Sequence, residues 1–405
     1  MKQHLTTFNK AIGFISASIE QVSGMTKPQK KFMIWLFAKW VMLPVRHNFL
    51  NIYRYGSGDY SEKSIRHQFS RKINFAGWFK TAMSGLKDKE SVAAFDPSYI
   101  SKSGKKTYGK GFFWSGKDQQ TKPGLEIGCL ALVDVEDAAA YSIEAVQTPP
   151  DMKGKLMEHY VGIIKKNITS LLSYTRYLAA DGYFMKSSFI DPLLTLGLHV
   201  ITRMRPDANL SYLFTGEQKP GKGRKKLYAG KVDVKKIDKR RWKRCYENDQ
   251  VIGYELIAFC VSLKRVVKVV YLDFKNRDGY TILLSTDTEL EGAKVIRYYQ
   301  LRFQIEFLIR DAKQHTGLEE CQARSKTKLY NHFNLSLMSV SLMKLTCWST
   351  LKNKQQIPFS MRSIKTYFYN KFLTETIFSN LGLDMSCNKI KTLYNQCLNI
   401  GAMDA

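Results

Sequence analysis

The chain has 405 residues, with 63 Lys and Arg against 35 Asp and Glu, for a formal net charge of +28. A hydrophobic content of 44% excludes a mainly disordered protein, and the length allows two or three domains around a proper core. Charge this one-sided points to a polyanionic partner, nucleic acid before a membrane or ribosome surface, and away from a small-molecule enzyme. Seven cysteines are scattered without a Cys-x-x-Cys pair. That pattern argues for a reduced compartment and against a zinc ribbon or a secreted disulfide framework. The start of the chain lacks a signal-peptide core. The most apolar run, Phe32 to Pro44, contains Lys39 and falls short of the roughly 20 residues a membrane span needs. A core helix and a cytoplasmic protein are expected.

Residues 1–90 read as short helices, with apolar positions at helical spacing in Ala11–Ile19 and Lys31–Leu43. Ser61–Phe79 alternates Arg66, His67, Arg71 and Lys72 with Ile65, Phe69, Ile73 and Phe75. This predicts one basic helix with an apolar face, which suits either DNA binding or an ordinary solvated helix. The period changes near residue 91. Ser91–Phe95, Gly111–Trp114, Leu125–Val135 and Ala140–Gln147 read as strands. Leu156–Leu178 reads as a helix, Gly182–Met185 as a strand, and His199–Arg203 as another strand after a short helix. Strands followed by alternating helix and strand predict an α/β layered domain.

Residues 219–244 then carry 13 Lys and Arg against two Asp, interleaved with Tyr228 and Trp242. A floppy solvated loop would look like this. So would a nucleic-acid surface, where aromatics accompany cations; Arg240, Arg241 and Trp242 are its candidate contacts. Strands are expected at Val251–Val261, Val266–Asp273 and Tyr280–Ser285, and helix from about 291 to 350 and beyond.

The chemistry is concentrated in Lys294–Arg324. On one helix, Tyr299, Arg302, Glu306 and Lys313 fall within an arc of roughly 60°, with Leu301, Ile305, Leu308 and Ala312 elsewhere. A glutamate there can hold a divalent cation through hard oxygen, and the cations can grip phosphate. The same residues would equally make a salt-bridge row, Arg302 to Glu306 being an i,i+4 pair. Geometry alone does not choose.

The spacing Tyr299-x2-Arg302-x3-Glu306-x6-Lys313 resembles the YREK signature of the insertion-sequence-four family of DDE transposases. A pattern of this kind arises by chance in roughly one such chain in several hundred. His315-Thr-Gly-Leu318 and Arg324 also look like that family, and the resemblance spans about residues 60–350. It implies an α/β fold: an RNase H-like mixed-sheet catalytic core interrupted by a β-strand insertion, with helical N-terminal DNA-binding and C-terminal regions. The implied parts are a helical DNA-binding domain (1–90), the first part of the core (91–205), a β-rich basic insertion (206–292), the second part of the core (293–350) and a C-terminal helical region (351–405).

The resemblance also implies three metal-binding catalytic acids. Glu306 is one. By position, Asp96 ends the first core strand, with Pro97-Ser98 closing it, and Asp181, in Ala179-Ala180-Asp181-Gly182, ends a strand after the long helix. Asp134 and Asp137 read instead as hairpin charge, Asp191 as a turn or helix cap, and Glu319 and Glu320 as lying past the helix. Crowded carboxylates are best accommodated around a cation, so two Mg²⁺ ions are implied, with Mn²⁺ able to substitute. Arg302, Lys313, Tyr299 and Arg324 would contact DNA at the transposon end, as would Arg66, Arg71 and Lys72 of the N-terminal module. Trp242, with Tyr280, would offer a ring to a flipped base. The implied activity is cut-and-paste transposition in a bacterial cytoplasm, at the nucleoid. Double-stranded DNA (terminal inverted repeats and target) and a homodimer in the synaptic complex would be the partners. An RNase H-like nuclease without integration and a domesticated, non-catalytic DNA-binding protein are the alternatives.

Overall fold

A computed structural model describes residues 2–56, 58–218, 221, 223–350 and 359–401, and the backbone alone for 2–10 and 348–350. The first ninety residues form α1 (Lys2–Glu20), α2 (Lys27–Met42), α3 (Phe49–Arg54), α4 (Glu62–Gln68) and α5 (Phe75–Ala82). Thr26 caps α2 by accepting the Gln29 N–H, and Phe32, Leu36, Phe37 and Trp40 bury its apolar face. No described helix is long and apolar enough to cross a membrane.

The single basic helix expected over 61–79 is two helices. Asn331 takes over the backbone between them: it accepts the Ile73 N–H at 3.1 Å and donates to the carbonyls of Phe69 (2.9 Å) and Arg71 (2.7 Å). With those groups satisfied from outside, continuing the helix gains nothing. The face was read correctly all the same, since Ile65, Phe69, Ile73 and Phe75 are buried while Arg66, Arg71 and Lys72 are exposed.

The next stretch lays down β1 (Ser91–Ser101), β2 (Gly111–Ser115), β3 (Gln120–Asp134), β4 (Ala139–Gln147), α6 (Leu156–Lys166), α7 (Ile168–Leu171), β5 (Tyr177–Ala180), α8 (Ser187–Thr195) and β6 (His199–Arg203). β4, β3 and β1 are antiparallel, while β1, β5 and β6 are parallel, joined through helices. This is the mixed-sheet order expected of an RNase H-like core. Two expectations shift. The helix predicted over 156–178 ends early because the Asn167 side chain bonds Glu144 (2.9 Å) and the Ile163 carbonyl (3.0 Å). The strand after it is Tyr177–Ala180, and Gly182–Phe184 is a 3₁₀ turn. Asp191 lies inside α8, paired with Arg265 at 2.6 Å, rather than at a turn or cap.

Beyond β6 come β7 (Leu210–Leu213), β8 (Tyr228–Lys231), β9 (Lys243–Glu247), β10 (Val251–Cys260), β11 (Arg265–Phe274) and β12 (Tyr280–Ser285). Lys219, Pro220 and Lys222 of the basic run lie outside the described residues. The inserted strands extend the core sheet: β12 pairs with β6 (Leu284 opposite Thr202), giving one sheet of 12 strands in the order β2-β3-β1-β5-β6-β12-β11-β10-β7-β8. β4 pairs with β3, and β9 with β10. Helices α9 (Gly292–Leu301), α10 (Phe303–His315), α11 (Lys326–Thr350), α12 (Met361–Asn380) and α13 (Asn388–Leu398) complete the chain. α11 docks on β4, where Asn334 and Ser341 satisfy backbone groups of Ala145 and Ser142.

Candidate active site

β1 alternates as a strand must. Phe95 packs against Tyr160, Phe184 and Phe189 on one face, and Asp96 points to the other, toward α10. The strand runs through Pro97 to Ser101 instead of ending at Asp96. Its parallel pairing with β5 stops at Ala94–Ala179, however, so Asp96 stands just past the last rung on that side. A proline is tolerated in a strand with such an open flank. Asp181 occupies the equivalent place on the neighbouring strand, one residue beyond Ala180. Its carboxylate accepts the Tyr183 N–H at 2.8 Å, and Thr202 on β6 donates its hydroxyl to the Asp181 carbonyl at 2.7 Å.

The helix expected to carry Tyr299, Arg302, Glu306 and Lys313 on one face is divided at Arg302. That residue keeps helical dihedrals (φ −50°, ψ −36°), but the Arg302 N–H bonds three residues back, to Tyr299. The tightened turn leaves the arginine side chain 7% exposed, its guanidinium 2.8 Å from Glu306 and 4.0 Å from Asp96. Arg302 Nε is buried without a hydrogen-bond partner. Tyr299 lies beside it, ring to guanidinium 5.7 Å, and burial raises the phenol's pKa against the pull of Arg302.

Burial raises Asp96 to about 7. Arg302 opposes that rise, while the charges of Glu306, Asp181 and Glu126 add to it. Both other sequence-derived acids thus bear on Asp96. Glu126, from β3, is a fourth acid the sequence reading missed; it accepts the Tyr160 hydroxyl at 2.7 Å, and only the pairing of β3 with β1 brings it near. Hard carboxylate oxygens with an excess of negative charge suit a divalent cation. Among the described residues, no three acid, histidine or cysteine side chains are drawn into a ready metal cage, and Arg302 supplies the local positive charge.

The remaining acids are structural. Asp134 is fully buried, bound by Lys89 at 2.9 Å and by the Glu136 and Asp137 N–H groups, as hairpin charge should be. Glu319 pairs with Lys313, and Glu320 with His47, both past the end of α10.

The cation candidates divide. Lys313 is turned inward, donating to the Tyr99 carbonyl at 2.8 Å and pairing with Glu319 at 3.0 Å. Arg324 is exposed, as are Arg66 (paired with Glu62), Arg71 and Lys72. In the insertion, Arg240 is exposed and Arg241 lies 3.7 Å from the Tyr212 ring. Trp242 does not fit its expected place: it is 5% exposed and packs edge-on to Tyr271 of β11. A base could not stack on it without displacing that packing.

Residues 154–342 match the family model described as a transposase DDE domain. The match takes in Asp181, the whole β insertion and Glu306, and it supports a DDE transposase, with DNA as the partner such a domain implies. Asp96 lies upstream of it and rests on the geometry above. No curated protein matches the chain.

Proposed function

We propose that the chain is the cut-and-paste transposase of a bacterial insertion sequence of the insertion-sequence-four family. The observation that carries this reading is the match of residues 154–342, which include Asp181 and Glu306, to a transposase DDE domain; that the charges of both acids bear on Asp96 supports it. Asp96, Asp181 and Glu306 would hold two Mg²⁺ ions, Mn²⁺ substituting. Magnesium bound there supplies Lewis-acid activation of a water or 3′-hydroxyl and stabilises the leaving oxygen. Strands β1 and β5 fix two of the carboxylates through their backbone. Arg302 neutralises Glu306 and Asp96 before DNA arrives and is then placed to accept a phosphate of the transposon end. Tyr299 packs against that guanidinium and orients it.

In this reading residues 1–90 recognise the terminal inverted repeats through Arg66, Arg71 and Lys72. The core, 91–205 and 293–350, cuts and joins. The insertion, 206–292, grips duplex through Arg240 and Arg241, and residues 351–405 assist a homodimer that pairs two ends near the nucleoid. Lys313 serves by anchoring α10 to β1, and Arg324 by contacting DNA backbone. The test is Mg²⁺-dependent cleavage and strand transfer on DNA carrying the element's own ends, wild type beside Glu306→Gln. Cleavage that never proceeds to joining would instead favour a nuclease, and full activity of the variant would overturn the site.

A further inference from the structure

β3 is longer than its partner. It pairs with β1 over Gly124–Asp134 and continues back to Gln120, where β2 pairs with it as a hairpin beyond the end of β1. On one face of that hairpin stand Phe112 and Trp114, two residues apart and therefore on the same side of the strand. They are 75% and 56% exposed, and Phe112 is the most exposed large apolar side chain among the described residues. Their partners across the ladder are Pro123 and Thr121. An aromatic pair left in water on a strand costs stability, so a partner that covers it is expected.

The surroundings specify that partner. Residues 102–122 hold six lysines against one aspartate, and that aspartate is taken by Lys122 at 3.1 Å. Among the described residues, Lys105, Lys106 and Lys110 have no acidic partner. The adjoining Tyr108 is also exposed and carries Lys326 over its ring at 5.4 Å. Its N–H donates to the Arg324 carbonyl at 2.9 Å, which ties this surface to the segment after α10. Cations with exposed rings fit a nucleic acid whose bases can be reached: phosphates for the lysines, open base faces for the rings. An intact duplex offers only the first of these.

We propose that Phe112 and Trp114 form a base-stacking platform that binds locally unpaired DNA. The inference rests on the transposase reading above. Counted along β1 and β3 at the strand rise, the two rings lie up to about 20–27 Å from Asp96, roughly six to eight base pairs along a duplex leaving the acids. DNA opened or kinked at that distance would be held by its exposed bases.

The experiment measures binding of the full chain by fluorescence anisotropy, in chelator so that nothing is cut. The two probes are a matched duplex and the same duplex with a central mismatched bubble. Wild type is expected to favour the bubble by roughly five- to a hundredfold. Phe112→Ala with Trp114→Ala should erase that preference while changing matched-duplex affinity by less than about twofold, and Trp114→Phe should keep it. A wild type that binds both probes alike, or a double variant that keeps the preference, overturns the platform and leaves the transposase reading standing. A double variant with an unchanged thermal melt that loses both probes equally makes the rings plain duplex contacts, which also overturns it. Failure of the wild type to bind either probe sinks both readings together.

Discussion

Two halves of one sheet are built differently. In the half built from β1, β5 and β6, residues 92–95 and 178–180 are fully buried, and the acids stand one or two residues past the last shared rung. In the half reached through β12, the cations sit on β8, β9 and the loops between them, mostly in water. Chemistry on a phosphodiester needs oxygens held to a fraction of an ångström, which backbone hydrogen bonds and a filled core provide. A grip on a polyanion needs only the number and sign of charges, which tolerates loose positions.

Four measurements sharpen or break that contrast. Glu306→Gln should lower cleavage by about a thousandfold or more with little change in DNA affinity; a parallel loss of affinity would show that the site also grips. Asp96→Asn should change the pH dependence of stability in chelator. Asp96 is raised to about 7, so between pH about 4 and 7 the folded chain keeps a proton the unfolded chain releases. Wild-type stability therefore falls as pH rises through that window, by up to a few kcal/mol, and urea titrations of the variant should lack the fall. Asn331→Ala removes three bonds to the backbone of 69–73 and should cost about 2–4 kcal/mol, which would place the N-terminal helices with the rigid half. Replacing Arg240 and Arg241 by alanine together should weaken duplex binding modestly and reduce the salt slope by about two. A loss there as large as that of Glu306→Gln in cleavage would erase the distinction.

The rigid half was largely legible in the sequence. Val92–Phe95 is a continuous apolar run, His199–Arg203 has a β-branched centre in Val200, Ile201 and Thr202, and Asp181 follows its strand directly. The elements that went unread depend on partners far away in the chain. Lys243–Glu247 has no apolar alternation and is a strand because β10 pairs with it. The break between α4 and α5 is made by Asn331, some 260 residues later. Trp242 is buried by Tyr271, so its place among arginines gave a misleading signal. In the site, the spacing singled out residues of α9 and α10, but local periodicity cannot show a helix dividing at Arg302 to bury its guanidinium. Glu126 carried no local signal, because its nearness to Asp96 exists only once β3 has paired.

Thr202 links the two halves. It lies opposite Ala180 on one side and Leu284 on the other, and its hydroxyl holds the carbonyl of Asp181. The inserted strands are thus spliced into the sheet with no hinge between them. The rungs from β12 through Thr202 lead directly to the backbone of Asp181, one of the three proposed catalytic acids. A slip of one rung between β6 and β12 would turn the side chains of the inserted strand to the opposite face and part Leu284 from Thr202.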